Sequence, residues 1–568
     1  MKYDLVIRNG TVVDGSGQPR FRADVGVVGD RIEAVGRIRE AGVSEVDAEG
    51  MIVAPGFIEV HSHMDAQVFW DPLGTCPAWH GVTTSIMGNC GFTLAPCREK
   101  EVDLCLRSIE RAEDMSRDVL AAGIQWRWET FPEYLDVVER LPKGINYAGY
   151  IGHSALRAYV MGERAFTDLA TENDLSAMRR EVEAAMHAGA IGFSTSRSSA
   201  HQTVASKPVA SRVGNWDEVR SLVGVMTELG TGVFEITLGH TLDPAQRAEH
   251  NAALRDLAVE SGRPLTFILA NAPHYGEAWK EMLAMVDETF ACGGRMTIQA
   301  LARQVQTVLG FKSHLPFDQL SGWRDLRAKP LPEQAALLRD GALRAKLAAE
   351  AMSGPYGSGA VGGEARPPDW GLMKVFDSPI GPYRSVADVA RECGKTPAEL
   401  LIDLSLESGF EQYFIQPYAN HNFADVLQIL SHPAAVVGGS DSGAHVSQIL
   451  DSSTPTFFLA HWVGREKAFT LEQGIRKLTF DPALVWGLQG RGLVAQGMIA
   501  DLVVFDPQKV GPGMPTAEHD LPAGGKRLKQ KATGMTATVV AGEVLLRDGE
   551  HTGALPGRLL RGPLAQYR

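Results

Sequence analysis

Residues 172–196 read ENDLSAMRREVEAAMHAGAIGFSTS, and their order decides the architecture. An amphipathic helix ends on a glycine, and a short apolar strand follows that closes in polar residues. Glycine after a helix supplies the left-handed residue that terminates it. A strand that is apolar without alternation is covered on both faces, as in parallel sheets. The pattern recurs as NWDEVRSLVGVMTELGTGVFEIT at 215–237, AQRAEHNAALRDLAVESGRPLTFILAN at 245–271 and AWKEMLAMVDETFACGGRMTIQAL at 278–301. With GFIEVHSH (56–63), GVTTSIMGNCG (81–91), INYAGYIGHSALR (145–157) and AAVVGGSDS (434–442), the strands number eight. Eight strand–helix units predict an α/β fold, a (β/α)8 TIM-like barrel.

Two stretches fall outside those units. Residues 1–56 and 485–568 alternate in short β segments such as DLVIRNGTVVDG and ATVVAGEVLLRDGE. They predict a composite β-sandwich domain built from both termini around a barrel of residues 57–484. Between the seventh and eighth strands, residues 304–383 carry an Ala-rich helix and then a Gly/Pro stretch. That length exceeds one barrel helix and predicts a lid insertion over the mouth.

Composition narrows the function. Lys+Arg 55 against Asp+Glu 68 gives a charge of −13, which disfavours nucleic acid as a partner. No apolar run is long enough to span a membrane, and the N-terminus alternates like a strand, so a cytoplasmic location is expected. Six cysteines in 568 residues are too few for a disulfide framework. Size and charge are compatible with a homo-oligomer.

A TIM-like barrel keeps its chemistry at the C-terminal ends of its strands. Those ends carry His61, His63, Cys90, His153, Ser194, Glu235, Asn271, Gln299 and Asp441. His61 and His63, two apart on the first strand, point to the same face. Asp441 arrives beside them from the eighth strand. Imidazole with carboxylate is a transition-metal donor set, with zinc the default and other divalent transition metals acceptable.

These residues sit inside longer motifs: DLVIRNGTVVDGSG, APGFIEVHSHMD, GVTTSIMGNCGF, GHSALR, GSDSG, ADLVVFDP and GEHTGALPGRLLR. The chain resembles the amidohydrolase superfamily, and within it the D-aminoacylase (N-acyl-D-amino-acid deacylase) group. The resemblance implies hydrolysis of a small amide, an N-acyl amino acid, by metal-activated water. It implies one or two Zn2+ ions held by His61, His63, Asp441 and Cys90, with Asp441 also the general base and then acid. Asp65 matches a carboxylate that orients a ligand or the lid.

The fifth and sixth strands depart from the family, which commonly places histidine at their ends. Here the fifth offers Glu235, readable as a direct ligand or as a partner that orients His61 or His63. The fourth strand ends without a lysine, which speaks against a carbamylated bridge. His153 is the expected oxyanion donor. Arg197 is the expected carboxylate anchor, with Arg303, Tyr275 and His445 as further substrate contacts. Phe69 and Trp70 are readable as an acyl-pocket wall. Hydrolysis of a cyclic amide, lactone or ester at the same site is the alternative, followed by a non-catalytic barrel that binds a small ligand.

Overall fold

The computed structural model describes residues 3–239, 241–356 and 367–567. Helix ends show why the repeats fold as they do. Thr171 caps the helix Glu172–Ala188, forming reciprocal bonds with Asp174, and Gly189 ends it at φ 109°. Asn215 and Asp243 cap the next two helices, Trp216–Glu228 and Pro244–Ser261, through their side chains.

The strands that follow are buried and parallel. Phe57–Glu59, Val82–Met87 and Asn146–Gly149 form one sheet. Ile151–Gly152, Gly192–Ser196, Val233–Thr237, Leu265–Leu269, Met296–Ala300 and Ala435–Val437 form a second, in that order. Only Tyr150 separates the two segments of the third strand. A parallel bridge between Ser62 and Ser442 links the ends of the first and eighth strands. The fold is α/β of the TIM-barrel type. Neighbouring strands approach closely at Gly192, where a Cβ would lie 1.9 Å from the carbonyl oxygen of Val233.

Both termini feed one nine-stranded sheet, in which Ile52–Pro55 pairs with Leu502–Phe505, and its core holds Ile7, Val25, Val53, Val504 and Val539. The long connection after the seventh strand contains a sheet that the sequence pattern does not announce. Val305–Leu309 and Lys374–Phe376 flank Tyr413–Ala419, all antiparallel. Its own apolar core runs from Leu309 to Phe414 around Trp323. Residues 357–366 of the expected lid lie outside the described residues. No described helix is long and apolar enough to cross a membrane.

A buried histidine ties the barrel to the C-terminal hairpin Gly511–Glu518/Arg527–Thr533. His80 sits between Thr456 (2.7 Å) and the carbonyl of Gln530 (2.9 Å). Burial depresses its pKa to about 4, against the pull of the Gln530 bond. Below its ordinary pKa of about 6.5 the unfolded chain takes up a proton that the folded chain refuses. Stability is therefore expected to fall as pH drops from about 6.5 to about 4, by up to about 3 kcal/mol. Urea midpoints measured across that window should be steeper in pH for wild type than for His80→Gln. Parallel slopes would rule out this origin.

Candidate metal centre

The first strand ends at Glu59, and the chain beyond it presents two imidazoles inward. Glu59 Oε1 accepts the His61 amide at 2.9 Å and braces that backbone. His61 Nδ1 donates to Gln299 Oε1 at 2.7 Å, and Gln299 Nε2 donates to Thr266 Oγ1 at 3.1 Å. This chain of bonds selects the tautomer whose Nε2 lone pair faces the cluster, the arrangement that metal-ligating histidines use.

Around that Nε2 stand Cys90 Sγ at 3.3 Å and Asp441 Oδ1 at 3.3 Å. His63 Nε2 lies 3.7 Å from the same Asp441 oxygen and 3.3 Å from Glu113 Oε2. It is buried and has no hydrogen-bond partner. The donor atoms of His61, His63 and Cys90 all lie within 4.8 Å of one another. Two nitrogens and a sulfur at that spacing fit a zinc-like cation, and the unpartnered His63 nitrogen is what such a cation would satisfy.

Backbone strain concentrates here. Cys90 has φ 58°, Asp441 φ 48° and His445 φ 49°, all in the left-handed region. Non-glycine residues hold that conformation at a cost and only where their surroundings enforce it. At Cys90 the enforcement comes from Glu235, whose Oε2 accepts the Cys90 amide at 2.8 Å. Ser194 helps, accepting the Gly91 amide at 3.1 Å. Asp65 accepts the Gly88 amide at 2.9 Å, so it holds the Gly88–Gly91 turn in place.

Charge is held in an unusual balance. Burial works against a proton on His61, but Asp441, with Glu235 beyond it, outweighs burial and pushes the imidazole up to about 9. Asp441 is held well below the usual carboxylate range despite burial, chiefly by His61. Burial lifts Glu235 and Asp65 to about 7 each, and it raises the Cys90 thiol and Glu113 as well. Without a cation, the proton on His61 is the positive charge the cluster has gathered. A bound cation would displace it.

Other expected site residues lie elsewhere. His153 is not an available donor: Nδ1 meets Thr195 Oγ1 at 2.8 Å and Nε2 donates to Glu218 Oε1 at 2.7 Å. The strand stops at Gly152 and His153 begins a helix, so strand alternation no longer aims its ring. Arg303 is buried as a framework residue rather than a substrate contact. It donates to Ser453 Oγ at 2.9 Å and lies 3.4 Å from Asp451. The Tyr275 ring lies 4.0 Å from that of His274, tilted by 46°, in the turn Pro273–Tyr275. Asn271 is engaged with Asp425 and Asn420.

Arg197 donates through Nη1 to the Gly214 carbonyl, and its guanidinium packs over Trp216. Its Nε and Nη2 are buried without partners. His445 Nε2 lies 3.6 Å from Glu113 Oε2. The sequence places His201 on a mouth loop without a role and does not single out Glu113, and both stand against Cys90. Glu113 belongs to the connection after the second strand, which carries no motif. A cavity of about 490 Å³ opens beside Gly443, walled by Trp70, Met115, Val119, Leu120, Val446 and Leu521. Phe69 instead stacks on Trp128 at 5.3 Å.

The profile of the amidohydrolase family matches residues 44–546. The chain belongs to that family. Among its amidohydrolase relatives, the D-aminoacylase of Alcaligenes xylosoxydans xylosoxydans is 29% identical over 570 residues, covering 98% of this chain and 97% of that protein. The N-acyl-D-aspartate deacylase of the same organism is 28% identical over 563 residues, covering 98% and 95%. A solved D-aminoacylase structure, described for the functional role of its binuclear metal centre, superposes with a TM-score of 0.65. It is 25% identical and covers 98% of this chain and 100% of its own.

Proposed function

We propose that this chain is a metal-dependent deacylase that cleaves the amide bond of N-acyl-D-amino acids. The observation that carries the reading is the convergence of His61, His63, Cys90 and Asp441 from three strand ends onto one cluster. The full-length likeness to D-aminoacylase and to N-acyl-D-aspartate deacylase supports the substrate class. Zn2+ is the proposed ion, held by the two imidazoles, the thiolate and Asp441. When bound it polarises the scissile carbonyl and lowers the pKa of water.

Asp441 accepts the proton from the attacking water and passes it to the departing amine. Its side chain is 33% exposed while those of His61 and His63 are buried, so within the cluster it is the group that faces incoming substrate. Glu235 keeps Cys90 in its strained position and adds negative charge next to His61. The free Nε and Nη2 of Arg197 are proposed to take the substrate carboxylate as a bidentate pair. The cavity beside Gly443, whose apolar wall is joined by Glu110, Arg111, Asp114 and Lys526, is proposed to take the acyl chain against that apolar wall.

The division into a composite β-sandwich domain (1–56 with 485–568), a (β/α)8 barrel (57–484) and a lid (304–383) belongs to the same proposal. The sheet shared by both termini supports it. So do two hydrogen bonds from the insertion to the loop beyond Asp441, His314 to Ser447 at 3.0 Å and Val308 to Gln448 at 2.7 Å.

The test is a panel of N-acetyl-D- and N-acetyl-L-amino acids, assayed before and after chelation. Free amino acid should appear from D substrates, disappear on chelation and return with added zinc. Turnover untouched by thorough metal removal would end the reading. Products that gain water without releasing a fragment would point to ring opening instead.

A further inference from the structure

The face of the barrel opposite the metal cluster carries a cavity of about 830 Å³. Its walls include residues that lead into strands: Ile191 before Gly192, Pro264 before Leu265 and Arg295 before Met296. The last segment of the chain closes it. The Tyr147 amide donates to the Arg558 carbonyl at 2.9 Å, and the Leu560 amide donates to the Tyr147 carbonyl at 2.7 Å. We propose that this cavity binds a phosphate monoester with an apolar body, gripped by Arg263 and Arg295.

Charge points to an anion. Among the described residues that line the cavity, six are arginines (Arg31, Arg263, Arg295, Arg491, Arg558 and Arg561) and two are carboxylates, Asp30 and Glu139. This positive surplus stands in a chain whose overall charge is −13. Four of the arginines are answered. Arg558 and Arg31 share Asp30 at 2.6 and 4.0 Å, Arg491 meets Asp501 at 2.9 Å, and Arg561 meets Asp136 and Glu139 at 2.6 Å each. Among the described residues, Arg263 and Arg295 have no carboxylate partner. Arg295 donates through Nη2 to the Gly262 carbonyl at 2.6 Å, which sets it beside Arg263. The Arg263 Nε is buried with no hydrogen-bond partner. Burial, and then the Arg295 charge, loosen the hold of Arg263 on its proton. An anion between the two would satisfy the buried donor and remove the repulsion.

The same features select the ligand class. Two unanswered guanidinium groups call for a dianion, and a phosphate monoester carries about −1.5 to −2 at neutral pH, where a carboxylate carries a single charge. Planar guanidinium forks take phosphate oxygens in pairs. Ile191, Leu484, Leu488 and Leu560 give the cavity an apolar side for the organic body, and Leu484 at its edge is 60% exposed. The volume is that of a small-molecule site. A ligand here would tie the end of the chain to the barrel.

The experiment is calorimetric titration of the full-length protein with phenyl phosphate, inorganic phosphate and benzoate, with melting temperatures measured alongside. Phenyl phosphate should bind more tightly than either of the others and raise the melting temperature. Arg263→Gln/Arg295→Gln should weaken it by about 10–100-fold, the loss expected when charge-assisted hydrogen bonds are removed. If that variant fails to fold, Arg263→Gln alone, which breaks no ion pair among the described residues, should weaken it by about tenfold. Unchanged affinity in the variants would place the phosphate elsewhere, the metal cluster included, and overturn the site. Failure of phenyl phosphate to bind would do the same. Inorganic phosphate or benzoate binding as tightly as phenyl phosphate would overturn the assignment of a monoester.

Discussion

Replacing Asp441 with asparagine is expected to lower kcat by about 10²–10⁴-fold on an N-acyl-D-amino acid at saturating zinc. Asparagine keeps the size and an oxygen near His61, so the fold and much of the metal site should survive. What disappears is a base able to take a proton from water and return it to the amine. The geometry makes the loss specific. Asp441 Oδ1 stands 3.3 Å from His61 Nε2 and 3.7 Å from His63 Nε2, and its side chain is the partly exposed member of that trio. Burial raises Glu113 and Glu235, but the same burial keeps both away from incoming substrate, so each is the worse-placed acceptor. The measurement is steady-state kinetics with bound metal counted in the same preparation. A variant that holds its metal and retains kcat within tenfold of wild type would move the base to one of those two glutamates.

The repeating strands were legible because several are short apolar runs that follow an amphipathic helix ended by glycine, as at Thr171, Gly189 and Gly192. His61, His63 and Asp441 were legible for a related reason: strand alternation and a bridge between the first and eighth strands leave their meeting point little freedom. Cys90 was readable from its place in GNCGF at the end of the second strand and from the affinity of a thiolate for zinc. Glu113 was not legible. It lies in the connection between Met87 and Asn146, and packing rather than local pattern delivers it to His63. The sheet inside the insertion escaped sequence reading because its strands pair across long separations, Val305 with Ala419 and Lys374 with Ile415. Such pairing leaves no local periodic trace.

His153 shows where position at a strand end misleads, and it leads to the second large effect. Its ring lies in a buried network with Glu218 and Arg157, whose Nη1 donates to Glu218 Oε1 and Oε2, each at 2.5 Å. Burial alone would raise Glu218, yet the His153 bond and the Arg157 charge hold it down to about 2. Depression from about 4.5 to about 2 corresponds to about 3 kcal/mol of folding stability, present above pH 4.5 and lost as pH falls through about 2. Breaking a buried pair from one side costs about 3–5 kcal/mol, the same size by an independent route. Glu218→Gln is therefore expected to destabilise the fold by about 3–5 kcal/mol, because Arg157 is left charged and buried. Arg157→Met/Glu218→Leu should recover most of the loss, since no uncompensated charge remains. Urea unfolding measures both, or the unfolding rate at fixed temperature where refolding fails. His153→Gln should cost about 1–3 kcal/mol through the lost bond while kcat stays within tenfold of wild type. A stable His153→Gln enzyme with kcat reduced a hundredfold would return His153 to the reaction, and the network would have to open toward the substrate to allow it.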